Sequence, residues 1–467
     1  MRHSVNLFVA LSLFASARQP ALSQQQSAGL DSSYFEIAKR MLTHGLQTCE
    51  AYDMLDELTT MAGPRLSGSE GAQKAVNLTG KMMYVRDFEN VRREPIIVPH
   101  WVRGPVEEAK IVEGPKRMAI PLNICALGGS IATPPDGLEA EVIEVKSFDE
   151  LKSLGKKAAG KIIFFNRPMD RTKFDSFEAY GGAVDQRSRG AVEAAKVGGV
   201  GALVRSMTLA IDEVPHTGVM IYADTVKKVP AAAISTLDAN ILSDLLKSEK
   251  SVKVRMKLTC ETLPDMESGN VIGEITGTEK PKEIIVVGGH LDSWDKGTGA
   301  HDDGAGCVQA IEALNIIKKL GLKPKRTIRA VMFMNEENGT RGGKGYPVAP
   351  QREGERHIAA MESDRGGFAP RGLSVQGDSI LYQKVLRWKP LFETLFAGHI
   401  VRGGSGVDVA PLVEKGAAGF GLIVENHRYF DYHHSAKDTI DKVNPRELEM
   451  GAVVMAMLCY LISEEGL

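Results

Sequence analysis

The segment from residue 283 to residue 334 decides the fold of this chain. It opens with the apolar run EIIVVGG (residues 283–289), continues as GAGCVQAIEALNIIKKL (304–320) and returns as RTIRAVMFM (326–334). Short apolar runs bounded by glycine predict buried strands, and the apolar spacing of the middle segment predicts a helix that ends at Gly321. A strand, a helix and a second strand in this order predict a parallel sheet.

The same alternation continues to the end of the chain. Strands are predicted over residues 358–363 and 419–424, and a closing helix over residues 446–462. Upstream, residues 31–81 carry a helical pattern that breaks near Gly63, and residues 91–98 predict a strand. The predicted fold class is therefore α/β, with a doubly wound, mostly parallel sheet.

Residues 119–265 have a different character. They contain many short predicted strands and one helix, near residues 190–197, which ends at a glycine pair. We interpret this segment as an inserted β-rich domain that shapes or covers a substrate site. The predicted organisation is an N-terminal part of the catalytic domain (31–118), the insert (119–265) and the rest of the catalytic domain (266–467).

The composition excludes several classes of function. The chain has 467 residues, 43% hydrophobic and 25% charged, which is typical of a globular protein. Lys and Arg number 57 and Asp and Glu number 59, so there is no basic surplus for binding nucleic acid. The five cysteines are scattered and form no CxxC pair, which argues against a thiolate zinc site and a disulfide scaffold.

The first residues predict export. Residues 1–23 contain Arg2 and His3, an apolar run over 5–17 and small residues near the end, as in a secretory signal peptide. No other segment reaches 18 uninterrupted apolar residues, so no stable membrane insertion is predicted. Extracellular, lysosomal and periplasmic destinations all fit. In a eukaryotic secretory route, Asn77 would be a glycosylation acceptor.

Histidines and carboxylates follow the predicted strands. They lie at the strand ends or in the loops just after them: His290, Asp292, Asp302, Asp303, Glu336, Glu337, Asp364, His433 and His434. In open α/β sheets, the carboxyl ends of the parallel strands form the edge where ligands bind. Any one acidic pair is usually a solvated loop, but the convergence of all these clusters on one edge predicts a site.

The residue types point to a divalent metal, with zinc favoured by the imidazoles. His290 and Asp292 stand two positions apart, so we expect the Asp292 carboxylate to accept the second ring N–H of His290. The carboxylate of Asp302 can bridge two cations. Of Glu336 and Glu337, one can bind metal while the other stays free as a general base. Two ligands would complete the two metal shells: Asp364 and His434.

These segments resemble a known family. HLDSW (290–294), GAHDDGAG (299–306), the pair at 336–337, ESD (362–364) and HHS (433–435) are similar to the co-catalytic di-zinc peptidases of the aminopeptidase and glutamate carboxypeptidase type. The resemblance covers nearly the whole chain after residue 23 and includes GPRLSGS (63–69) and PHTG (215–218). It implies that the insert is a protease-associated domain, that two Zn²⁺ ions bind per chain, and that the protein is a homodimer.

The resemblance also assigns roles to individual residues. It implies Glu336 as the general base, a cis peptide bond between Asp302 and Asp303, and Tyr429 as a group that polarises the scissile carbonyl. It implies five zinc ligands, with Asp302 bridging: His290, Asp302, Glu337, Asp364 and His434.

The sequence therefore predicts an exported di-zinc metallo-exopeptidase that hydrolyses dipeptides or short peptides. Zinc-bound hydroxide would attack the peptide carbonyl while Glu336 takes the proton. Two alternatives stay open: a single-zinc enzyme similar to glutaminyl cyclases, and a non-catalytic receptor or binding protein on the same fold. The complete set of ligands argues against both. The sequence leaves open which terminal residue is released.

Overall fold

The structure, a computed structural model, describes residues 30–113 and 119–467. The predicted signal peptide (1–23) lies outside the described residues. Two sheets of eight strands each account for the strands of the described chain. In chain order the strands are β1 Glu89–Val102, β2 Glu107–Glu113, β3 Ile120–Leu122, β4 Ile124–Ala126, β5 Leu138–Val145, β6 Ile162–Phe165, β7 Gly201–Arg205, β8 Ala231–Ile234, β9 Lys253–Leu258, β10 Glu261–Ile275, β11 Lys280–His290, β12 Arg326–Phe333, β13 Arg356–Glu362, β14 Pro370–Gln376, β15 His399–Arg402 and β16 Ala418–Val424.

Helices connect and cover these strands. In chain order they are α1 Ser33–Thr48, α2 Glu50–Met61, α3 Glu70–Val85, α4 Phe148–Leu154, α5 Ser176–Gly181, α6 Asp185–Lys196, α7 Thr236–Ser248, α8 Ala305–Lys319, α9 Arg341–Gly345, α10 Ser379–Leu386, α11 Lys389–Glu393, α12 Ala410–Glu414, α13 Tyr429–Tyr432 and α14 Pro445–Glu465. A π-type turn, Ala300–Gly304, precedes α8 directly.

The first sheet has the order β1-β10-β12-β11-β13-β16-β14-β15. Its centre is parallel, because β11 pairs in parallel with both β12 and β13, and β13 pairs in parallel with β16. Its margins are mixed, since β10 and β14 each pair antiparallel with their inner neighbours. The predicted α/β class is confirmed, with a parallel centre and mixed flanks.

Apolar sequence explains why β11 and β12 lie in the centre. All eight residues of β12 are buried, as are the last seven of β11, so both faces of the sheet must be covered. On one face α8 and α14 pack together over the sheet and against α1 and α2. On the other face a smaller apolar cluster includes Tyr346 and Leu412, which lies on α12. The parallel strands therefore hold the site-bearing loops on a rigid base.

The second sheet belongs to the insert between β1 and β10. Its order is β3-β2-β9-β5-β6-β7-β8-β4, with parallel pairing from β5 through β8. Helices α4 to α7 accompany these strands, so the insert is less exclusively β than the sequence suggested. Strand β2 precedes the predicted boundary at residue 119 and nevertheless pairs with β9 inside this sheet. The chain enters the insert after β1 and leaves it at β10, and these two strands pair with each other in the first sheet. This pairing joins the insert to the catalytic domain.

The membrane and cysteine predictions can be compared with the described residues. Within these residues, no helix combines the length and apolar character needed to cross a membrane. All five cysteines are free, four of them buried, which agrees with the absence of a disulfide scaffold in the sequence pattern.

Candidate metal centre

The five residues predicted as metal ligands meet at the carboxyl edge of the first sheet. His290 is the last residue of β11, and Asp302 lies in the π-type turn before α8. Glu337 follows β12, Asp364 follows β13, and His434 follows α13. Parallel pairing of β11, β12 and β13 brings three of these segments side by side, because their carboxyl ends share one edge.

One half of the centre surrounds His290. Its Nε2 lies 3.1 Å from Oδ1 of Asp302 and 3.6 Å from Oδ1 of Asp364. Its Nδ1 lies 2.9 Å from the backbone oxygen of Asp292, so Nδ1 carries the proton and donates it there. This tautomer leaves Nε2 free to bind a metal ion.

The other half surrounds His434. Its Nε2 lies 3.2 Å from Oδ2 of Asp302 and 3.0 Å from Oε2 of Glu337. The two oxygens of Asp302 therefore face different imidazoles, Oδ1 toward His290 and Oδ2 toward His434. A carboxylate in this position can bridge two cations.

His433 is a second imidazole beside Asp302. Its Nε2 is 3.7 Å from Oδ2 of Asp302, and its ring stacks on that of His434 with centroids 3.5 Å apart. Asp302, His433 and His434 together lie within metal-binding distance of one another. Burial, and then the charge of His434, hold the pKa of His433 well below its ordinary value, so this ring is neutral. His434 is nevertheless the better placed ligand, because it also meets Glu337.

The structure corrects the expected partner of Asp292. Its carboxylate is 4.0 Å from Nδ1 of His290, beyond hydrogen-bond distance, and it accepts backbone N–H bonds from the next strand's end instead. The donors are Asn335 at 2.6 Å, Glu336 at 3.0 Å and Glu337 at 3.3 Å. The reason is that β11 ends at His290, so the alternation of a strand no longer relates the two side chains. Asp292 thus fixes the backbone that carries both glutamates.

The turn around Asp302 is held by two other carboxylates. The Asp302–Asp303 peptide bond is cis, as the resemblance implied. Asp303 accepts the backbone N–H groups of His290 at 2.9 Å and Gly306 at 3.0 Å. Asp438 accepts that of Asp302 at 3.1 Å. These bonds fix the direction in which the Asp302 side chain leaves the turn.

Glu336 is the carboxylate left without a histidine partner. Burial raises its pKa well above the usual value, and the charges of Glu337 and Asp364 raise it further. Burial also raises the pKa of Glu337, although His434 opposes the shift. Of the two glutamates, only Glu337 is in contact with an imidazole, that of His434. This difference fits Glu337 as a metal ligand and Glu336 as a free base.

The donor set fits zinc. The buried atoms Oδ2 of Asp302 and Oε1 of Glu337 make no hydrogen bond, so each can bind an ion without losing one. Burial lowers the pKa of His434, but the neighbouring carboxylates raise it to about 9. The pKa of His290 is also raised well above its ordinary value despite burial, by Asp302 and Asp364. The electrostatic field of these carboxylates favours positive charge at both imidazoles, so it also favours a bound divalent cation. Mixed imidazole and carboxylate donors suit zinc in particular.

The centre opens into a cavity of about 480 Å³. One wall is the catalytic domain, with Glu336, Tyr429 and the predicted ligands. The opposite wall comes from the insert and was not predicted: Phe177, Tyr180, Arg187, Val219 and Ile221. These residues lack a sequence signal because they reach the site through contacts between positions more than 200 residues apart, such as Arg187 and His434.

Tyr429 lies on the rim of the His290 half. Its hydroxyl is 3.5 Å from Oδ1 of Asp364, and its ring stacks on Phe177 with centroids 5.3 Å apart. Burial, and then nearby carboxylates such as Asp302, hold its pKa well above the ordinary value, so the hydroxyl keeps its proton. It can therefore donate a hydrogen bond into the cavity.

Two other histidines have structural surroundings. His301 is buried, and its ring lies nearly parallel to those of Phe368 and Tyr432, with centroids 4.3 and 5.3 Å away. Burial lowers its pKa to about 4. His216 belongs to the insert, and its Nδ1 lies 2.7 Å from the backbone oxygen of His433. This contact connects the insert to the segment that carries His433 and His434.

Comparison with known proteins finds close relatives over most of the chain. The model of peptidase family M28 matches residues 270–459. Carboxypeptidase Q of Bos taurus is 36% identical over 439 residues, which cover 92% of this chain and 89% of the bovine protein. Carboxypeptidase Q of Homo sapiens is 36% identical over 432 residues, with 92% and 89% covered.

Solved structures give the same result. The peptidase M28 precursor from Shewanella amazonensis SB2B superposes with a TM-score of 0.88 at 36% identity, covering 93% of this chain and 97% of that one. BSAP, a zinc aminopeptidase from Bacillus subtilis, gives a TM-score of 0.63 at 20% identity, covering 87% and 93%. The second likeness concerns the fold alone.

Proposed function

Since this chain belongs to peptidase family M28 and is a zinc metallo-exopeptidase, we propose that it hydrolyses dipeptides and short peptides with Glu336 as the general base. The observation that carries the proposal is the arrangement at Asp302. Its two carboxylate oxygens face two different imidazoles, while Glu336 stays free beside them. A binding protein without catalysis has no use for a free, half-buried carboxylate at this place.

Two sets of ligands share Asp302. His290 and Asp364 would hold one zinc ion with it, and Glu337 and His434 the other. When bound, zinc supplies Lewis-acid stabilisation of the charge that develops on the oxygen of the scissile carbonyl and acidifies the attacking water.

Glu336 moves the proton. Its carboxylate takes a proton from the water whose oxygen attacks the peptide carbonyl carbon. The C–N bond then breaks, and Glu336 delivers the same proton to the leaving amine. A carboxyl group whose pKa is raised by burial accepts the proton more readily than an exposed one.

Two residues position the reacting groups. Asp292 holds the backbone of Glu336 and Glu337 through its hydrogen bonds, so the base and a ligand keep a fixed separation. Tyr429 directs its hydroxyl at the cavity rim and is proposed to polarise the carbonyl of the substrate. Fixed donors of this kind need no reorganisation during the reaction.

The size of the cavity supports small substrates. A volume of about 480 Å³ lies within the usual range of roughly 300–1,000 Å³ for sites that take small ligands. The insert closes one side, which disfavours an extended chain that continues in both directions. The carboxypeptidase Q relatives carry an exopeptidase name as well.

The test is hydrolysis of unblocked dipeptides by the wild type and by Glu336→Gln. We expect kcat to fall roughly 10²- to 10⁴-fold in the variant, because a proton acceptor is lost while the ligands stay. Glu267→Gln, which changes an exposed glutamate on β10, is the matched control and should keep full activity. Equal activity of Glu336→Gln and wild type would refute Glu336 as base.

We also propose that the protein is exported and forms a homodimer. The N-terminal pattern supports cleavage near residue 23, and N-terminal sequencing of the protein recovered outside the cytoplasm would test it. The homodimer rests on the family resemblance, and sedimentation equilibrium would test it.

A further inference from the structure

The insert contributes one charged side chain to the cavity, that of Arg187. It is carried by α6 and is 5% exposed, so its guanidinium is almost fully removed from bulk water. NH1 lies 3.4 Å from Nδ1 of His434, and the guanidinium lies over the Tyr180 ring, 5.5 Å from its centroid. Its Nε is buried without a hydrogen-bond partner.

Arg187 differs from the other buried arginines of the described chain. Four of them pair with carboxylates: Arg103, Arg326, Arg329 and Arg352. Arg65 donates to three backbone carbonyls and Arg205 to two amide oxygens. Arg187 alone among the described buried arginines has no carboxylate, amide or carbonyl oxygen as a partner, and the oxygen beside it is the neutral hydroxyl of Tyr180.

An unpaired buried guanidinium is costly. It cannot lose its proton, and it offers five donors in a planar fork. Leaving a buried charge without a counter-charge destabilises a protein, so such a group indicates a partner that arrives from outside. The partner must be an anion with oxygen acceptors, and a carboxylate matches the fork in two parallel hydrogen bonds.

The position of Arg187 relates it to the reaction. It contacts His434 on the ring edge opposite to Nε2, the nitrogen that faces Asp302 and Glu337. In a dipeptide, only the amide nitrogen and one α-carbon separate the carboxylate from the scissile carbonyl, a spacing of about one residue, or ~3.8 Å. The carboxylate of a bound dipeptide can therefore reach Arg187 while its carbonyl lies at the metal centre.

We propose that Arg187 binds the free C-terminal carboxylate of the substrate, so that the enzyme removes a single C-terminal residue. This inference rests on the proposed function and deepens it, because it selects which end of the peptide is recognised. The released residue lies against the apolar part of the insert wall, which includes Tyr180, Val219 and Ile221. Gly218 makes room for this arrangement, since a Cβ there would lie 2.5 Å from the guanidinium carbon of Arg187.

The test compares a dipeptide that has a free carboxylate with the same dipeptide as its C-terminal amide. We expect the wild type to prefer the free acid by about 10- to 100-fold in kcat/KM, as expected for hydrogen bonds between charged groups. Arg187→Met should remove most of this preference by raising KM for the acid, so that kcat/KM falls much more for the acid than for the amide. Arg187→Lys should restore part of it, because it keeps the charge without the fork.

Two further variants make the result specific. Arg189→Met removes an arginine from the same helix that packs over Phe148 and does not line the cavity, so it should leave the preference intact. Lys344 is an exposed cation on the cavity rim, and loss of the preference in Lys344→Met instead of Arg187→Met would overturn the proposal.

The zinc content of each variant separates recognition from damage to the centre. Equal losses on acid and amide in Arg187→Met at an unchanged zinc content would contradict the proposal, and where Arg187→Met loses zinc the same comparison is made in Arg187→Lys. So would a wild type that cleaves both equally well, although the proposed function would then survive. A wild type that cleaves neither substrate would refute the proposed function itself.

Discussion

At the scale of single residues, the chemistry of the centre depends on carboxylates that bind backbone rather than metal. Asp292, Asp303 and Asp438 each accept backbone N–H groups from the segments that carry the proposed ligands. Charge-assisted bonds of this kind are short and directional, so they fix loops that would otherwise move. The sequence pointed to Asp292 and Asp303 but not to Asp438, and the partners of all three are backbone groups, which leave no trace in a side-chain pattern.

A histidine far from the metal centre tests how burial changes a pKa and, through it, stability. His357 lies at the start of β13, with Nε2 3.2 Å from the hydroxyl of Tyr346. Burial, and then the charge of Arg329, lower its pKa to about 4, against an ordinary value near 6.5. Below pH 6.5 the unfolded chain therefore takes up this proton before the folded chain does, and stability is lost as the pH falls toward 4.

His357→Gln should remove that loss. We expect the free energy of unfolding of the wild type, relative to the variant, to fall by up to about 1.4 kcal/mol per pH unit between pH 6.5 and 4.5. Above pH 7 the difference should be constant. Urea denaturation at several pH values measures it, and parallel pH profiles of the two proteins would show that the folded and unfolded pKa values of His357 are equal.

At the scale of elements, a side-chain cap marks where α3 begins. Ser69 is the N-cap of α3, and its hydroxyl accepts the backbone N–H of Ala72 at 3.1 Å. Ser32 stands at the same position before α1, but its side chain makes no cap bond. Ser69→Ala should cost about 1 kcal/mol of stability, and Ser32→Ala should be nearly neutral. Urea denaturation of the two variants checks this, and equal losses would contradict the assignment of the cap.

The elements themselves were largely predictable from the sequence. The apolar runs of β11 and β12 and the helix α8 follow from local spacing, because each is buried on both sides. Strand β10 was not predicted, and its first half, residues 261–267, is mainly exposed and polar, so its strand conformation depends on pairing with β1. Such pairing joins positions more than 150 residues apart and has no local signal.

At the scale of the whole molecule, a largely buried ion-pair network joins the insert to the catalytic domain. Arg103 follows β1 and donates to both oxygens of Asp295, and it also donates to Glu107 on β2 at 2.8 Å. Lys296 donates to the other oxygen of Glu107, also at 2.8 Å. The domain prediction anticipated an insert, but the contacts that position it, including Arg187 at the centre, come from folding.

Arg103→Met should therefore lower the free energy of unfolding more than the loss of an exposed ion pair does. Removing one partner of a largely buried pair costs about 3 kcal/mol or more, because the remaining carboxylates stay uncompensated. Arg341→Met is the control, since its pair with Asp265 is 41% and 48% exposed at the side chains and contributes about 1 kcal/mol or less. Urea denaturation of the zinc-loaded proteins compares them, and equal losses would mean that the Arg103 network does not hold the insert in place.

The most direct test of the account is the zinc content per chain of purified protein, measured for the wild type, Asp302→Asn and Glu336→Gln. A bridging Asp302 and a free Glu336 predict about two zinc ions in the wild type, about two in Glu336→Gln, and fewer than two in Asp302→Asn. One zinc ion in the wild type would contradict the two-metal centre and favour a single-zinc enzyme similar to glutaminyl cyclases. An unchanged content in Asp302→Asn would contradict the bridge.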